Sequence, residues 1–159
     1  MSDLTEQEAR ALVEALDDEY KAWTTYDRVI ADFGEARPFS KIRESEGRHI
    51  SALRALFERY GLAVPQNSWP GKVPRYPSLQ AACEAGVEAE IANGAMYERL
   101  LAATQRADIV TVLRNLQEAS QQRHLPAFRR GAGGGGGYCG GGGRGSGGGD
   151  RRRGRGRES

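Results

Sequence analysis

Four stretches of this chain return an apolar residue at alternating steps of three and four, a period that only a helix can place on one inward face. In the first, Leu12, Leu16, Glu19, Trp23, Tyr26, Ile30 and Phe33 fall on a single stripe that ends at Gly34. Thr5 and Glu8 stand at capping-box spacing just before it, so a helix should begin there. A second helix is predicted from about Pro38 to Tyr60, closed by Gly61, with Ile42, Glu46, His49, Leu53 and Leu56 inward. The third runs from Leu79 to about Gln105 after a Ser78 cap, with Cys83, Val87, Glu90, Gly94, Tyr97 and Leu101 inward. The fourth, capped by Asp108, runs to about Arg130 through Leu113, Leu116, Ser120, His124 and Phe128. Pro126 lies inside it and removes the hydrogen bond to the Gln122 carbonyl, which predicts a kink just after His124.

Connection lengths then restrict the topology. The joins at 34 to 37 and 106 to 107 are short enough only for antiparallel neighbours, whereas residues 62 to 77 hold four prolines and no periodicity. Extended at roughly 3.3 Å per residue, that segment reaches about 50 Å, enough to traverse a bundle. The expected fold is therefore all-α: a four-helix bundle of the ferritin-like type, two antiparallel hairpins joined by a long crossover, over residues 1 to 130.

Beyond Arg130 the composition changes. Residues 129 to 159 hold sixteen of the 22 glycines and a charge of +6, which leaves −4 for the rest of a chain whose net charge is +2. Such a segment cannot bury enough apolar surface to offset its ordering entropy, so 131 to 159 read as a disordered Gly/Arg-rich tail. A solvated linker is its plainest role, and nucleic-acid binding through its arginines is the less favoured one. Two cysteines, Cys83 and Cys139, give neither a disulfide framework nor a Cys-x-x-Cys site, and a reducing compartment fits. The first 30 residues are charged and amphipathic without a basic start and apolar h-region, and no apolar run approaches about 18 residues, so no membrane span is expected and a cytoplasmic location is.

Each helix carries a potential metal ligand where its stripe calls for an apolar residue: Glu19, Glu46 with His49, Glu90, and His124. A carboxylate facing a core must be paired, protonated or metal-bound, and four near mid-helix can converge on one point. Glu46 and His49, three apart, reach one ion from adjacent turns. Di-iron carboxylate bundles take one Glu from each of two helices and Glu-x-x-His from each of the other two. Five of those six positions are matched, and the sixth holds Gln121, a poorer bridging ligand. Glu19 or Glu90 is the expected bridge, with one histidine on each ion. Trp23, Tyr26 and Tyr97 read as core aromatics, and Asp17, Glu14, Glu44, Glu88 and Glu118 as residues outside the site.

The stretches D-D-E-Y-K-A at 17 to 22, S-E-G-R-H-I at 45 to 50, Y-G-L at 60 to 62, G-V-E-A-E-I at 86 to 91 and H-L-P-A-F at 124 to 128 resemble a prokaryotic ferritin-like family of unknown function. That family is distantly similar to rubrerythrin-type bundles, and the resemblance covers about residues 8 to 130. It implies a dinuclear iron site on Glu19, Glu46, His49, Glu90 and His124, with Gln121 as the departure that leaves one position weaker or the site mononuclear. Manganese and zinc are alternatives to iron. The implied function is metal binding with an oxidase or peroxidase-like reaction on oxygen or peroxide, and no rubredoxin-like Cys-x-x-Cys is present to supply electrons. A homodimer stays open. The competing readings are a non-enzymatic helical interaction module whose basic tail binds nucleic acid, and a bundle that has lost its metal and keeps a hydrogen-bonded Glu/His core.

Overall fold

The computed structural model describes residues 3 to 133, and among these every regular element is helical. The elements are α1 (Glu6–Phe33), α2 (Phe39–Arg59), α3 (Leu79–Leu101), α4 (Ala107–Ala119), a π-helical turn (Ser120–His124) and α5 (Leu125–Ala132). The last three follow one another without a break and act as the fourth rod of a four-helix bundle. Of the segment read as a tail, residues 131 to 133 complete α5 and its end; the remainder, with Cys139, lies outside the described residues.

Local chemistry sets the ends. The Thr5 hydroxyl accepts the Glu8 amide at 3.1 Å while the Glu8 carboxylate accepts the Thr5 amide at 3.0 Å, the reciprocal capping box. Gly34 and Gly61, at φ +86° and +66°, take the left-handed turns after α1 and α2 that a side chain would resist. Ser78 caps α3 through the Ala81 amide. Two predicted ends move: α3 stops at Leu101 rather than near Gln105, and α4 starts at Ala107 without a side-chain cap. Asp108 is instead spent on tertiary contacts, accepting the Tyr60 hydroxyl at 2.7 Å and Arg59 at 3.0 Å.

Packing makes α1 antiparallel to both α2 and α3, and the α4–α5 rod antiparallel to both α3 and α2. Contacts of Glu8 with Thr104, Glu14 with Arg99 and Tyr26 with Glu90 run in opposite chain directions along the α1–α3 seam. Arg59 with Asp108 and Ser45 with His124 do the same for α2 and the fourth rod. Helices α2 and α3 are therefore parallel, and residues 60 to 78 must travel the length of the bundle between them. That crossover is pinned along α1 by Tyr20 on the Pro65 carbonyl (2.9 Å), Asn67 on Thr24 (2.8 Å) and Arg75 on Asp32 (2.6 Å).

The core is split into two apolar clusters. One holds Leu12, Leu16, Leu53, Phe57, Ile109 and Leu113; the other holds Tyr26, Val29, Phe39, Ile42, Ala82 and Phe128. On every helix the predicted ligand positions fall between the two, so a polar layer crosses the middle of the bundle. Two residues drawn on the inward stripes are more exposed than expected: Phe33 is 37% exposed and Trp23 only partly buried. Cys83 is fully buried.

Candidate metal centre

The polar layer brings together five of the six residues singled out by pattern. Glu19, Glu46, Glu90 and His124 are each at most 4% exposed, and the His49 side chain is 12% exposed. They form two groups of three, Glu19–Glu46–His49 and Glu46–Glu90–His124, with the candidate ligand atoms of each group within 4.8 Å of one another. His49 Nδ1 lies 3.2 Å from Glu46 Oε2 and 3.5 Å from Glu19 Oε2. His124 Nδ1 lies 3.2 Å from Glu46 Oε1 and 3.5 Å from Glu90 Oε1. Glu46 therefore faces both histidines, one oxygen to each. It is the shared carboxylate, where the sequence pattern had pointed to Glu19 or Glu90.

Gln121 is not brought into this cluster. Its amide donates to the Glu90 carbonyl at 2.6 Å and to Ser120 Oγ at 2.8 Å, and it lies over Gly94, where an added Cβ would meet the amide carbon at 2.5 Å. The π turn supplies the reason. The Leu125 amide bonds to the Ser120 carbonyl, five residues back, directly before Pro126, which has no amide of its own. The extra residue in this turn swings position 121 away toward α3 and brings position 120 under His124. The predicted kink is thus realised as a π turn, and Ser120, 3% exposed, occupies the place beside Glu90. Its hydroxyl donates to Glu90 Oε2.

Three further contacts were missed, two because their tyrosines read as ordinary core and one because its serine lay off the inward stripe. Tyr97 donates to Glu19, and Tyr26 donates to Glu90 Oε1 at 3.2 Å. Both tyrosines stand seven residues after a glutamate, and the antiparallel α1–α3 pair crosses them over so that each serves the other helix's carboxylate. The third is Ser45 on α2, whose Oγ sits 3.3 Å from His49 Nε2 and 3.2 Å from His124 Nε2.

Electrostatics follow from packing three carboxylates into one layer. Burial, reinforced by the negative charge of Glu46, pushes the Glu19 carboxyl well above its ordinary value. Burial would raise Glu46 too, but the Glu19 carboxyl and the imidazoles of His124 and His49 beside it outweigh this and hold Glu46 low. The two thus hold one proton between them, on the Glu19 side. For His124, burial alone would depress the imidazole; the adjacent Glu46 and Glu90 carboxylates reverse this and raise it to about 9. Both tyrosines are pushed well up, first by burial and then by the carboxylates they touch.

Whether such a layer suits a metal can be judged from its unsatisfied atoms. His124 Nδ1 is buried without a hydrogen-bond partner although two carboxylates flank it. In the metal-free protein this nitrogen carries its proton against the charge of those carboxylates; when that proton leaves, its lone pair stands among oxygen donors and can bind a cation. The mixed imidazole and carboxylate set suits iron, manganese or zinc. These buried Glu/His groups can hold a metal ion. A cavity of about 250 Å³ reaches Glu46, Glu90 and Tyr26 from between α1 and α3, with Asp18 and Asn93 also on its wall. Asn93 donates to Asp18 at 2.6 Å, and its own Oδ1 is buried without a partner.

No family model matches the chain, and no curated protein matches it. Among solved structures, the crystal structure of the hypothetical protein MJ0754 from Methanococcus jannaschii DSM 2661 is similar, with a TM-score of 0.73 and 25% identity over 84% of this chain and 83% of that one. No helix of the described residues is long and apolar enough to cross a membrane.

Proposed function

We propose that this protein is a ferritin-like metal protein that holds two iron ions side by side in the polar layer and reacts with oxygen or a peroxide. The observation that carries the reading is the position of Glu46, whose two oxygens face two histidines and complete two three-residue groups. One group, Glu19, Glu46 and His49, would hold one ion; the other, Glu46, Glu90 and His124, would hold the second. Bound iron would supply Lewis acidity and electrons for the oxidant.

The chain's own residues prepare that site. Tyr97 and Tyr26 fix the rotamers of Glu19 and Glu90 by donating one hydrogen bond to each, as outer partners of metal-binding carboxylates commonly do. Ser120 fixes the second Glu90 oxygen. Three carboxylates leave part of the charge of two divalent ions uncompensated, so small anionic or oxygen donors are favoured at the open positions. The cavity between α1 and α3 gives such donors a route past Asp18 and Asn93. A metal-free Glu/His core would be the simpler structure; in it His124 Nδ1 is held only by the charges of Glu46 and Glu90, with no hydrogen bond aimed at either.

The test is anaerobic titration of ferrous ion into metal-free protein, beside metal analysis of protein from its native host. Saturation near two ions per chain is expected, with loss of both in Glu46→Ala at unchanged helix content. Loss of only one ion in that variant would overturn the shared-carboxylate reading. Protein that takes up no ion would overturn the function.

A further inference from the structure

On the side of the layer away from Asp18 and Asn93, the seam between α2 and the fourth rod opens into a cavity of about 370 Å³. Five cations line it: Arg37, Lys41 and Arg48 from the α2 side, Arg123 and Arg130 from the other. Lys41 and Arg48 on α2, and Arg123 and Arg130 on the fourth rod, stand seven apart, which returns each pair to one face, and Arg37 joins them from just before α2. A second cavity, of about 350 Å³, shares Arg48 and Arg123 and reaches His49. No acidic side chain lines either one. Elsewhere among the described residues Arg10, Arg28, Arg43, Arg59, Arg75, Arg99 and Arg106 each sit in an ion pair, while the exposed Arg54, Arg114 and Arg129 do not. None of the five cavity cations does so among the described residues.

The floor of this cavity contains Ser45 and His124, which joins it to the metal centre. The Ser45 Oγ lies between the Nε2 atoms of both histidines, while both Nδ1 atoms face the carboxylates. With Nδ1 given to a metal, each Nε2 carries its hydrogen and donates to Ser45. Two donors fill both lone pairs of a hydroxyl. Its own O–H must then find an acceptor, and among the described residues no carbonyl or carboxylate accepts from it. The cavity is the one direction that leaves, and it is ringed by positive charge.

We propose that this cavity between α2 and the α4–α5 rod is a binding site for a small phosphate-type oxyanion, which accepts from Ser45 and neutralises the facing arginines. Arginine forks match the oxygen geometry of such an anion. The site stands on the cavity and its unpaired cations; only its coupling to metal, through Ser45, rests on the proposed function. Anion and metal then strengthen each other's binding by the same factor.

Titration calorimetry of inorganic phosphate into full-length, metal-free protein at constant ionic strength tests the site. Saturable one-to-one binding is expected, weakened about tenfold or more in the Arg48→Gln/Arg123→Gln variant, whose circular dichroism should be unchanged because both side chains are exposed. Arginines near the C-terminus offer other anchors for phosphate. Affinity unchanged in the variant would therefore place the ion elsewhere and overturn the proposal, as would the absence of saturable binding. A parallel arm with adenosine monophosphate separates the sources: tighter binding than phosphate assigns the oxyanion to an organic carrier, weaker binding to the free ion. Cobalt(II)-loaded protein should bind phosphate more tightly than metal-free protein, and Ser45→Ala should remove that increment. Protein that binds phosphate but no cobalt would sink the metal reading and leave the anion site standing.

Discussion

Glu90 shows how much of the site depends on residues that hold no ion. One of its oxygens receives Tyr26 and the other receives Ser120, while its main-chain carbonyl takes the Gln121 amide. Removing the Ser120 hydroxyl strands a buried carboxylate oxygen, which costs about 1–3 kcal/mol. Ser120→Ala should therefore lower the melting temperature of metal-free protein and weaken metal binding about 10- to 100-fold, measured by thermal unfolding and by competition with a chelator. An unchanged affinity would mean that Glu90 is not a ligand. Gln121→Glu makes the opposite point. The Glu-x-x-His spacing suggests a restored sixth ligand, yet the π turn holds position 121 against α3, and a carboxylate there would face the Glu90 carbonyl in place of an amide donor. That variant should be less stable at neutral pH, with no gain in ions bound per chain on titration.

Among the helices, α3 is the one whose packing depends on absent side chains. A Cβ on Gly86 would stand 2.7 Å from the Phe128 ring, and one on Gly94 would stand 2.5 Å from the end of Gln121. Phe128 is fully buried against Tyr26 and Phe39 at ring separations of 5.4 Å and cannot retreat, whereas Gln121 is half-buried and flexible. Overpacking costs about 1–3 kcal/mol against a gain of about 1 from replacing glycine in a helix. Gly86→Ala should thus be clearly destabilising in urea unfolding, and Gly94→Ala closer to neutral. A larger loss for Gly94→Ala would mean that the Gln121 contact is the rigid one. The same helices indicate what a sequence can reveal. Stripes at steps of three and four place Glu19, Glu46, Glu90 and His124 in the core because charge on an apolar face is expensive and hence conspicuous. Ser120 was on its stripe too, but a small hydroxyl there looks like filler. The π turn escaped notice because side-chain period carries no record of which carbonyl an amide selects; Pro126 gave the place of the disturbance and not its form. The tyrosines escaped because their partners lie 64 and 78 residues away in the chain.

Across the whole molecule the proton inventory makes stability and metal binding depend on pH in opposite ways. Glu8 anchors the start of α1 to the α3–α4 join through Thr104 and Arg106; burial would raise it, but these bonds and the Thr5 amide bring it down to about 2. A lowered carboxyl stabilises the fold above its ordinary value of 4.5 and loses that contribution as pH falls toward about 2. His124 has the opposite sign. Raised from 6.5 to about 9, it stabilises the metal-free fold fully below 6.5 and ceases to do so as pH rises through about 9. Glu19, also raised, contributes fully below its ordinary value of 4.5 and loses that contribution as pH rises above it, because its buried carboxyl resists ionisation. Metal-free protein should therefore be most stable between these limits and soften on both sides. Binding an ion requires the protons on Glu19 and His124 to leave, so metal affinity rises with pH over the range in which the metal-free fold weakens. The gap in melting temperature between metal-loaded and metal-free protein should accordingly widen from pH 6 to pH 9, and calorimetry in buffers of different ionisation enthalpy should register proton release on binding at pH 7. A gap that stays constant, with no protons released, would mean that the ion binds somewhere other than this carboxylate and histidine layer.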